Sequence, residues 1–397
     1  MISYPENDAQ VIEVVRGARA EHRALGIFGA GTRTARDPDD DSASVSSCQI
    51  RGIVDYEPAE MVMTVKSGTP VAEVEAALAA NRQMMAFEPM DHRGIMATSG
   101  EPTIGGVFAA NVSGPRRFTA GAARDSLLGI RFVNGQGQVI RAGGRVMKNV
   151  TGLDLVKLLA GSQGTLGFIT EVTFRVLPVP PAIETIVISG LDDLAATKAM
   201  AAAMALSVEV SGAAHLPASV IGRFLNGDLP KGEATVMRLE GLAASVSVRA
   251  AKLAETMEAF GPVSRLGAYE SCVLWREIRD VHPFADGSKR PLWRVSVAPS
   301  VGHQLVAALR LEACIDAFFD WQGGLVWMRM EADPKAELLR RHIRAIGGGH
   351  ATLVRATDEV RALTPAFEPL PDGVAALSAR VKQKLDPAGI FSPGKMG

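Results

Sequence analysis

The chain has 397 residues, 42 Lys and Arg against 43 Asp and Glu, a net charge of −1 and 3 Cys. At roughly 100–200 residues per domain this length allows two or three domains, with enough core to need no metal or disulfide staple. Balanced charge without a basic tract argues against nucleic-acid binding, and the isolated Cys48, Cys272 and Cys314 argue against a disulfide framework or an iron–sulfur cluster held by this chain.

The opening MISYPENDAQ lacks the basic start and apolar run of a signal peptide, and no 18-residue apolar run follows anywhere. A reducing cytoplasm is expected, with no spanning helix. Val11, Val14, Val15, Ala18 and Leu25 fall at helical spacing, with Asn7 or Asp8 as the cap. A short strand, residues 26–28, runs into Gly29-Ala30-Gly31-Thr32-Arg33, and Asp37 to Asp41 reads as a solvated acidic loop. Met61 to Lys66 reads as a strand; the next helix starts at Thr69-Pro70, with Pro at its first position. The stretch 103–121 is rich in small residues and has little periodicity. Residues 127–134 and 139–142 form a hairpin around Gly135-Gln136-Gly137-Gln138, and 151–160 a helix boxed by Thr151 and Asp154 and ended by Gly161. A strand follows over 168–176. Leu177-Pro178-Val179-Pro180-Pro181 makes a stiff linker and the best domain boundary.

Beyond it, helices are predicted over 191–206, 243–260 and 334–346, and strands over 235–239, 293–297 and 325–331. This is a smaller α+β domain over 182–346. From Gly347 the chain is expected to return to the first domain, with a strand over 350–355 and a helix over 374–385.

Glycines concentrate at 29–33, 103–114 and 161–169, each beside the start or end of an element. Without a Cβ, backbone N–H groups reach a bulky anion, and consecutive ones form a nest for phosphate oxygens. Several separate turns suit a dinucleotide better than a single phosphate. The dinucleotide fingerprint GxGxxG is not met: Thr34 stands where the third Gly belongs, and no helix follows at once. The Walker pattern is absent too. If a nucleotide is bound, another fold holds it.

The motifs TIGG, AAN-x-SG, G-x-x-RD, KNVTG-x-D and GSQGTLGFITE occur in that order over residues 103–171, preceded by VKSGTPVAEVEAALAANRQMMAFEP. This stretch resembles the FAD-binding domain of PCMH-type (vanillyl-alcohol-oxidase-like) flavoproteins, covering residues 1–181. Downstream, Trp293-Arg294-Val295-Ser296, Asp320-Trp321-Gln322-Gly323-Gly324, Gly348-Gly349-His350-Ala351-Thr352 and the ending DPAGIFSPGKM resemble the FAD-binding E subunits of bacterial glycolate oxidases. Two positions depart: Gln322 replaces a usual Gly, and Ser392 replaces the Asn of a usual NPG.

The resemblance implies an α+β fold: a PCMH-type FAD-binding domain of two α+β subdomains (1–181), a smaller α+β cap or interface domain with an antiparallel sheet (182–346), and a C-terminal segment (347–397) returning to the first. It implies that Gly29, Ala30, Gly31, Thr32 and Arg33 hold the pyrophosphate. Thr103, Ile104, Gly105 and Gly106, with Asn111, Ser113 and Gly114, would line the pyrophosphate and isoalloxazine. Gly164, Gly167 and Ile169 would reach the adenine end. Asp125 stands between a cofactor role and a brace for its loop. Relatives with covalent FAD use a His or Cys near the first or second Gly turn. The 29–32 turn has neither and His92 reads as a surface-loop residue, so non-covalent FAD is expected.

The implied function is the FAD-binding subunit of a 2-hydroxy-acid (glycolate) oxidase, oxidising glycolate to glyoxylate. A paralogous FAD subunit and an iron–sulfur subunit would be its partners, and association with the inner membrane would run through them. The metal-binding HxDGNxH of the related catalytic subunits is absent, so no metal site is expected. Arg276, Arg279 and Arg294, near Trp275 and Trp293, form either a cationic wall over the flavin or amphipathic packing. His350 is the best single base candidate, yet no residue is assigned as catalytic. A stand-alone FAD oxidase of a sugar or lactone and a non-catalytic scaffold are the alternatives.

Overall fold

The computed structural model describes residues 2–33, 43–145 and 152–395. The acidic loop, the Thr151 cap and the start of the KNVTG motif lie outside the described residues. Two units are present: residues 1–114, 120–179 and 370–397, and residues 115–119 and 180–369.

In the first unit, β1 (Ile2–Ser3), β2 (Leu25–Phe28) and β3 (Ala43–Ser46) form a parallel sheet in the order β1-β3-β2. The helix Asp8–Ala20 links β1 to β2 and buries Val11, Val15 and Ala18; Asn7 caps it by accepting the Gln10 N–H. Leu25, helical by spacing, instead starts β2, because the helix ends at Ala20. A second sheet is antiparallel: β4 (Ile53–Glu57), β5 (Val62–Lys66), β6 (Leu127–Val133), β7 (Val139–Gly143) and β8 (Phe168–Arg175), in the order β4-β5-β8-β6-β7. The β6–β7 turn is held by Asn134, whose Oδ1 accepts the N–H groups of Gln136 and Gln138. Pro70 stands just before the helix Val71–Ala79, at its N-cap position, instead of occupying its first position. The helix expected over 151–160 is a single turn, Leu155–Leu159, capped by Asp154.

The chain's end returns to this unit. Leu25 donates to the Ile390 carbonyl (2.7 Å) and accepts from the Ser392 N–H (3.1 Å), so the tail runs beside β2. Asp386, fully buried, accepts from Lys382 Nζ (2.6 Å) and from the Ile390 and Phe391 N–H groups (3.2 and 2.8 Å).

The second unit holds one antiparallel sheet of β9 (Ala182–Ser189), β10 (Val210–Leu216), β11 (Ala234–Gly241), β12 (Val263–Leu266), β13 (Leu292–Ser296), β14 (Ile315–Asp320), β15 (Leu325–Met330) and β16 (His350–Arg355). Their order is β12-β9-β11-β10-β14-β15-β13-β16. Strand β16 pairs with β13, so the return to the first unit comes at residue 370 and not at 347. The second unit is correspondingly larger than its expected span. Helices Asp193–Ala205 and Ala243–Met257 pack on Ile186, Ile188, Met237 and Leu239, while Gly302–Glu312 and Ala336–Ala345 pack on Trp293, Val295, Val326 and Met328. Strand alternation turns the neighbours of these residues, Arg238 and Arg294 among them, to the opposite face. There the helix Ala268–Arg279 covers part of the sheet, with Trp275 Nε1 donating to Thr185 (3.0 Å).

Candidate functional site

The site is built from backbone first. Strand β2 ends at Phe28, and the chain turns through Gly29–Arg33, with Gly31 at φ 71°. The carbonyls of this turn are held: Gly29 accepts from Ser46 Oγ and Thr32 from Thr98 Oγ1, both at 2.9 Å. Its N–H groups, residues 29 to 33, meet no acceptor among the described residues. Unpaired donors in succession are an anion nest, and their cost when left dry is what an anionic ligand removes.

The second wall is the start of the helix Ile104–Ala109. Here the amides are largely committed: Ile104 donates to Thr69 (3.0 Å), Gly105 to Ser67 (2.8 Å) and Gly106 to the capping Thr103 Oγ1 (3.3 Å). These glycines therefore serve close approach more than donation. A Cβ on Gly105 would stand 2.6 Å from Ser67 Cβ, and one on Gly106 2.7 Å from Arg33 Nη1. A Cβ on Gly29 would strike Thr103 Oγ1. The third wall comes from the turn before β8. Gly164, at φ 78°, faces the Ile27 side chain, and Gly167 backs onto the Phe132 ring, 2.6 Å from where its Cβ would be.

Together these walls line a single cleft that is partly open to solvent. Two cations face it. Arg33 is held down to about 10 by burial, with Asp91 opposing in part, and its buried Nε has no hydrogen-bond partner. Lys395, delivered by the C-terminal tail, is likewise lowered by burial. Neither makes an ion pair with a carboxylate among the described residues. Ser67 adds a buried hydroxyl without a partner. Half-buried positive charge with no carboxylate partner among the described residues, next to unpaired N–H groups, fits a diphosphate.

Of the residues expected at the site, Ile104, Asn111, Ser113 and Gly114 do not line the cleft. Ile104 is core, Asn111 Oδ1 accepts the Arg124 N–H (2.9 Å), and Ser113 Oγ accepts that of Ala123 (3.1 Å). Gly114 donates to the Phe87 carbonyl at 2.9 Å. They shape the chain behind the helix. Asp125 braces its loop by accepting the Ala122 N–H at 2.8 Å. Sequence reasoning missed Ser67, Gln163 and Lys395. The first two sit beside glycines already singled out, and Lys395 is the basic residue of the tail motif.

The three arginines weighed as a wall are not one. Arg276 is exposed, Arg279 pairs with Asp280 (2.7 Å), and Arg294 lies over Trp321. His350 is exposed at the start of β16. Among the described residues no helix is long and apolar enough to cross a membrane.

Comparison with known proteins agrees with the cleft. An FAD binding domain model matches residues 1–143. Glycolate oxidase subunit GlcE of Escherichia coli (strain K12) is 35% identical over 353 residues, 87% of this chain and 85% of that protein. A D-2-hydroxyglutarate dehydrogenase of Xanthomonas citri pv. viticola is 30% identical over 45% of this chain and 37% of its own. The fold matches that of p-cresol methylhydroxylase with TM-score 0.70, covering 99% of this chain and 88% of that one at 14% identity. A 4-ethylphenol oxidase from Gulosibacter chungangensis matches with TM-score 0.68, covering 100% and 88% at 14% identity.

Fold, cleft and relatives define an α+β flavoprotein of the PCMH type: an FAD-dependent oxidoreductase acting on CH–OH groups. Within that class the chain belongs to the GlcE family of glycolate oxidase subunits.

Proposed function

We propose that this chain is the FAD-binding subunit of a glycolate oxidase, taking part in the oxidation of glycolate to glyoxylate and passing electrons to partner subunits. The observation that carries the reading is the cleft itself, with a run of N–H groups that meet no acceptor among the described residues and two half-buried cations, in a chain similar to a glycolate oxidase subunit over most of its length.

The residues divide the work as follows. The N–H groups of Gly29 to Arg33, with Arg33 and Lys395, hold the diphosphate of a non-covalent FAD. Gly105, Gly106, Gly164 and Gly167 let the walls close on it and exclude water. Thr103 and Ile169 fix the positions of the second and third walls; among the described residues no His, Cys or Tyr lines the cleft. Bound FAD supplies the hydride acceptor for a CH–OH carbon. The partners are a paralogous FAD subunit and an iron–sulfur subunit that takes the electrons onward. The complex works in the cytoplasm, at the inner membrane through those partners.

The test is anaerobic titration of the purified chain, alone and co-expressed with its complex, with glycolate. The reading expects flavin absorbance near 450 nm in the chain alone and glycolate-dependent bleaching in the complex. Rapid bleaching of the isolated chain would show a self-sufficient enzyme, and a colourless protein would contradict the cofactor assignment.

A further inference from the structure

The arginines on the open face of the second unit's sheet are answered by protein groups, with one exception, the half-buried Arg294. Arg238 donates to Ser211 (3.1 Å) and lies 3.3 Å from Glu240; Arg329 meets Asp286 and Asp316; Arg355 donates to the Phe284 and Arg290 carbonyls at 2.7 and 3.1 Å. Arg294, on β13 with its cross-strand neighbours Trp327 and Thr352, has no hydrogen bond or ion pair among the described residues. Its guanidinium carbon lies 4.9 Å from the centre of the Trp321 ring. That of Arg117 lies 5.3 Å from the same centre. Burial, with Arg117 adding to it and Asp320 opposing, draws the Arg294 guanidinium down to about 10.

This arrangement is held in place at a cost. Arg117 is fixed between Arg116, which forks onto Glu240, and Phe118, which packs against the helix-side core. Trp321 is fixed by Asp320, whose Oδ1 accepts its N–H at 2.7 Å. Trp321, Gln322 and Gly323 are all left-handed, with φ of 51°, 63° and 95°. Two non-glycine residues in succession there store strain, which persists where the surroundings over-determine it and which clusters at ligand sites. An aromatic ring stabilises a cation, but it offers none of the acceptors that a planar fork of five donors requires.

We propose that Arg294, stacked on Trp321 beside Arg117, is the docking point for the carboxylate of a small 2-hydroxy acid. A carboxylate is planar and bidentate, and its two oxygens match the fork of donors that Arg294 presents. The choice of a 2-hydroxy acid rests on the proposed function above; the need for a carboxylate rests on the arginine alone.

The test uses the full-length, FAD-loaded chain and calorimetric titration with glycolate and with its neutral analogue glycolamide. Glycolate is expected to bind, and glycolamide at least 10-fold more weakly. Arg294→Gln is expected to lower glycolate affinity about 10- to 100-fold, with flavin absorbance unchanged. Arg294→Lys, which keeps the charge and loses the fork, falls between, and serves alone if Arg294→Gln does not fold. Arg276→Gln, an exposed change, leaves binding unaltered. Equal affinity for glycolamide, no glycolate binding, or glycolate binding by the Arg294 variants within twofold of the parent would overturn the proposal. Flavin reduction in the complex is scored separately. Reduction with unchanged half-saturation in Arg294→Gln would overturn this site and leave the proposed reaction standing. Calorimetric binding lost in Arg294→Gln, with no reduction in the complex, would support the site and remove the reaction.

Discussion

The two units handle charge in opposite ways. In the first, the candidate site is made largely of main chain, with N–H groups that meet no acceptor among the described residues and glycines that let walls approach; the two cations that join it have no carboxylate partner among those residues. In the second, the polar face is made of side chains, and nearly every buried arginine has an acid or a carbonyl to meet it. The first arrangement is costly until an anion arrives, whereas the second is largely complete within the protein. Binding energy and folding energy are thus drawn from different regions, and variants separate them.

The largest effect belongs to the second unit. Arg116 and Glu240, with side chains 13% and 7% exposed, form a nearly buried pair that also engages Arg238 and Ser211. Removing Arg116 takes away the forked partner and leaves Glu240 to Arg238 and Ser211 alone, so Arg116→Ala is expected to lower the unit's stability by about 1.5–3 kcal/mol in urea denaturation. FAD affinity per folded molecule is expected not to change. An FAD loss matching the stability loss would break the contrast.

Next comes backbone approach in the first unit. Gly105→Ala sets a methyl 2.8 Å from the Ser67 carbonyl oxygen, where backbone must shift. A cost of about 1–3 kcal/mol in thermal unfolding is expected, together with reduced flavin content. Arg33→Gln is expected to weaken FAD about 10- to 100-fold in fluorescence titration of the deflavinated protein, with little loss of apoprotein stability. A purely structural Arg33 would show the reverse pattern.

The pH response sharpens the same comparison. Burial pushes the Glu240 carboxyl up, but Arg238 and Arg116 outweigh it, and the group titrates below the usual glutamate range. A carboxyl depressed in the folded state contributes stability that is full above its unfolded pKa and is lost as pH falls through the folded value. Glu240→Gln is therefore expected to be less stable at neutral pH and to show a shallower loss on acidification below about pH 4.5, followed by urea titrations at successive pH values.

The smallest effects come from the two departures from the family pattern. Gln322 and Ser392 both lie at positive φ, 63° and 39°. The residues that the family resemblance leads one to expect there, Gly and Asn, are the ones that adopt this region most readily. Gln322→Gly is expected to stabilise by up to about 1 kcal/mol, since relieved strain is partly offset by a freer unfolded chain. Ser392→Asn gains less, because Ser392 Oγ accepts the Ile27 N–H at 3.3 Å. Melting temperatures of the two variants test this order.

These same contrasts explain what could be read from residues alone. The cleft of the first unit was legible because glycine has few uses, and clusters at 29–33, 103–106 and 164–167 converge. Which amides are free was not legible, since Ser67 and Thr69 take up those of Gly105 and Ile104 from 35 or more residues away. Asn111 and Ser113 carry polar side chains in a motif and brace it from behind. In the second unit the helices Asp193–Ala205, Ala243–Met257 and Ala336–Ala345 were visible by period, whereas Ala268–Arg279 and Gly302–Glu312 were missed. Strands β9, β10, β12 and β14 were missed, and Arg294 could not be told from other arginines. Its lack of a partner is a property of the folded sheet, and strand alternation only says which face it occupies. The boundary near 180 was marked by prolines, whereas the return at 370 was hidden because β16 extends the second sheet beyond Gly347.

The central claim is that the backbone turn at Gly29–Arg33 receives the cofactor's diphosphate. A crystal structure of the FAD-loaded protein tests it most directly. The account expects the diphosphate oxygens within hydrogen-bond distance of the N–H groups of residues 29–33, with Arg33 and Lys395 against them. Diphosphate density held elsewhere, with those N–H groups still facing water, would contradict it.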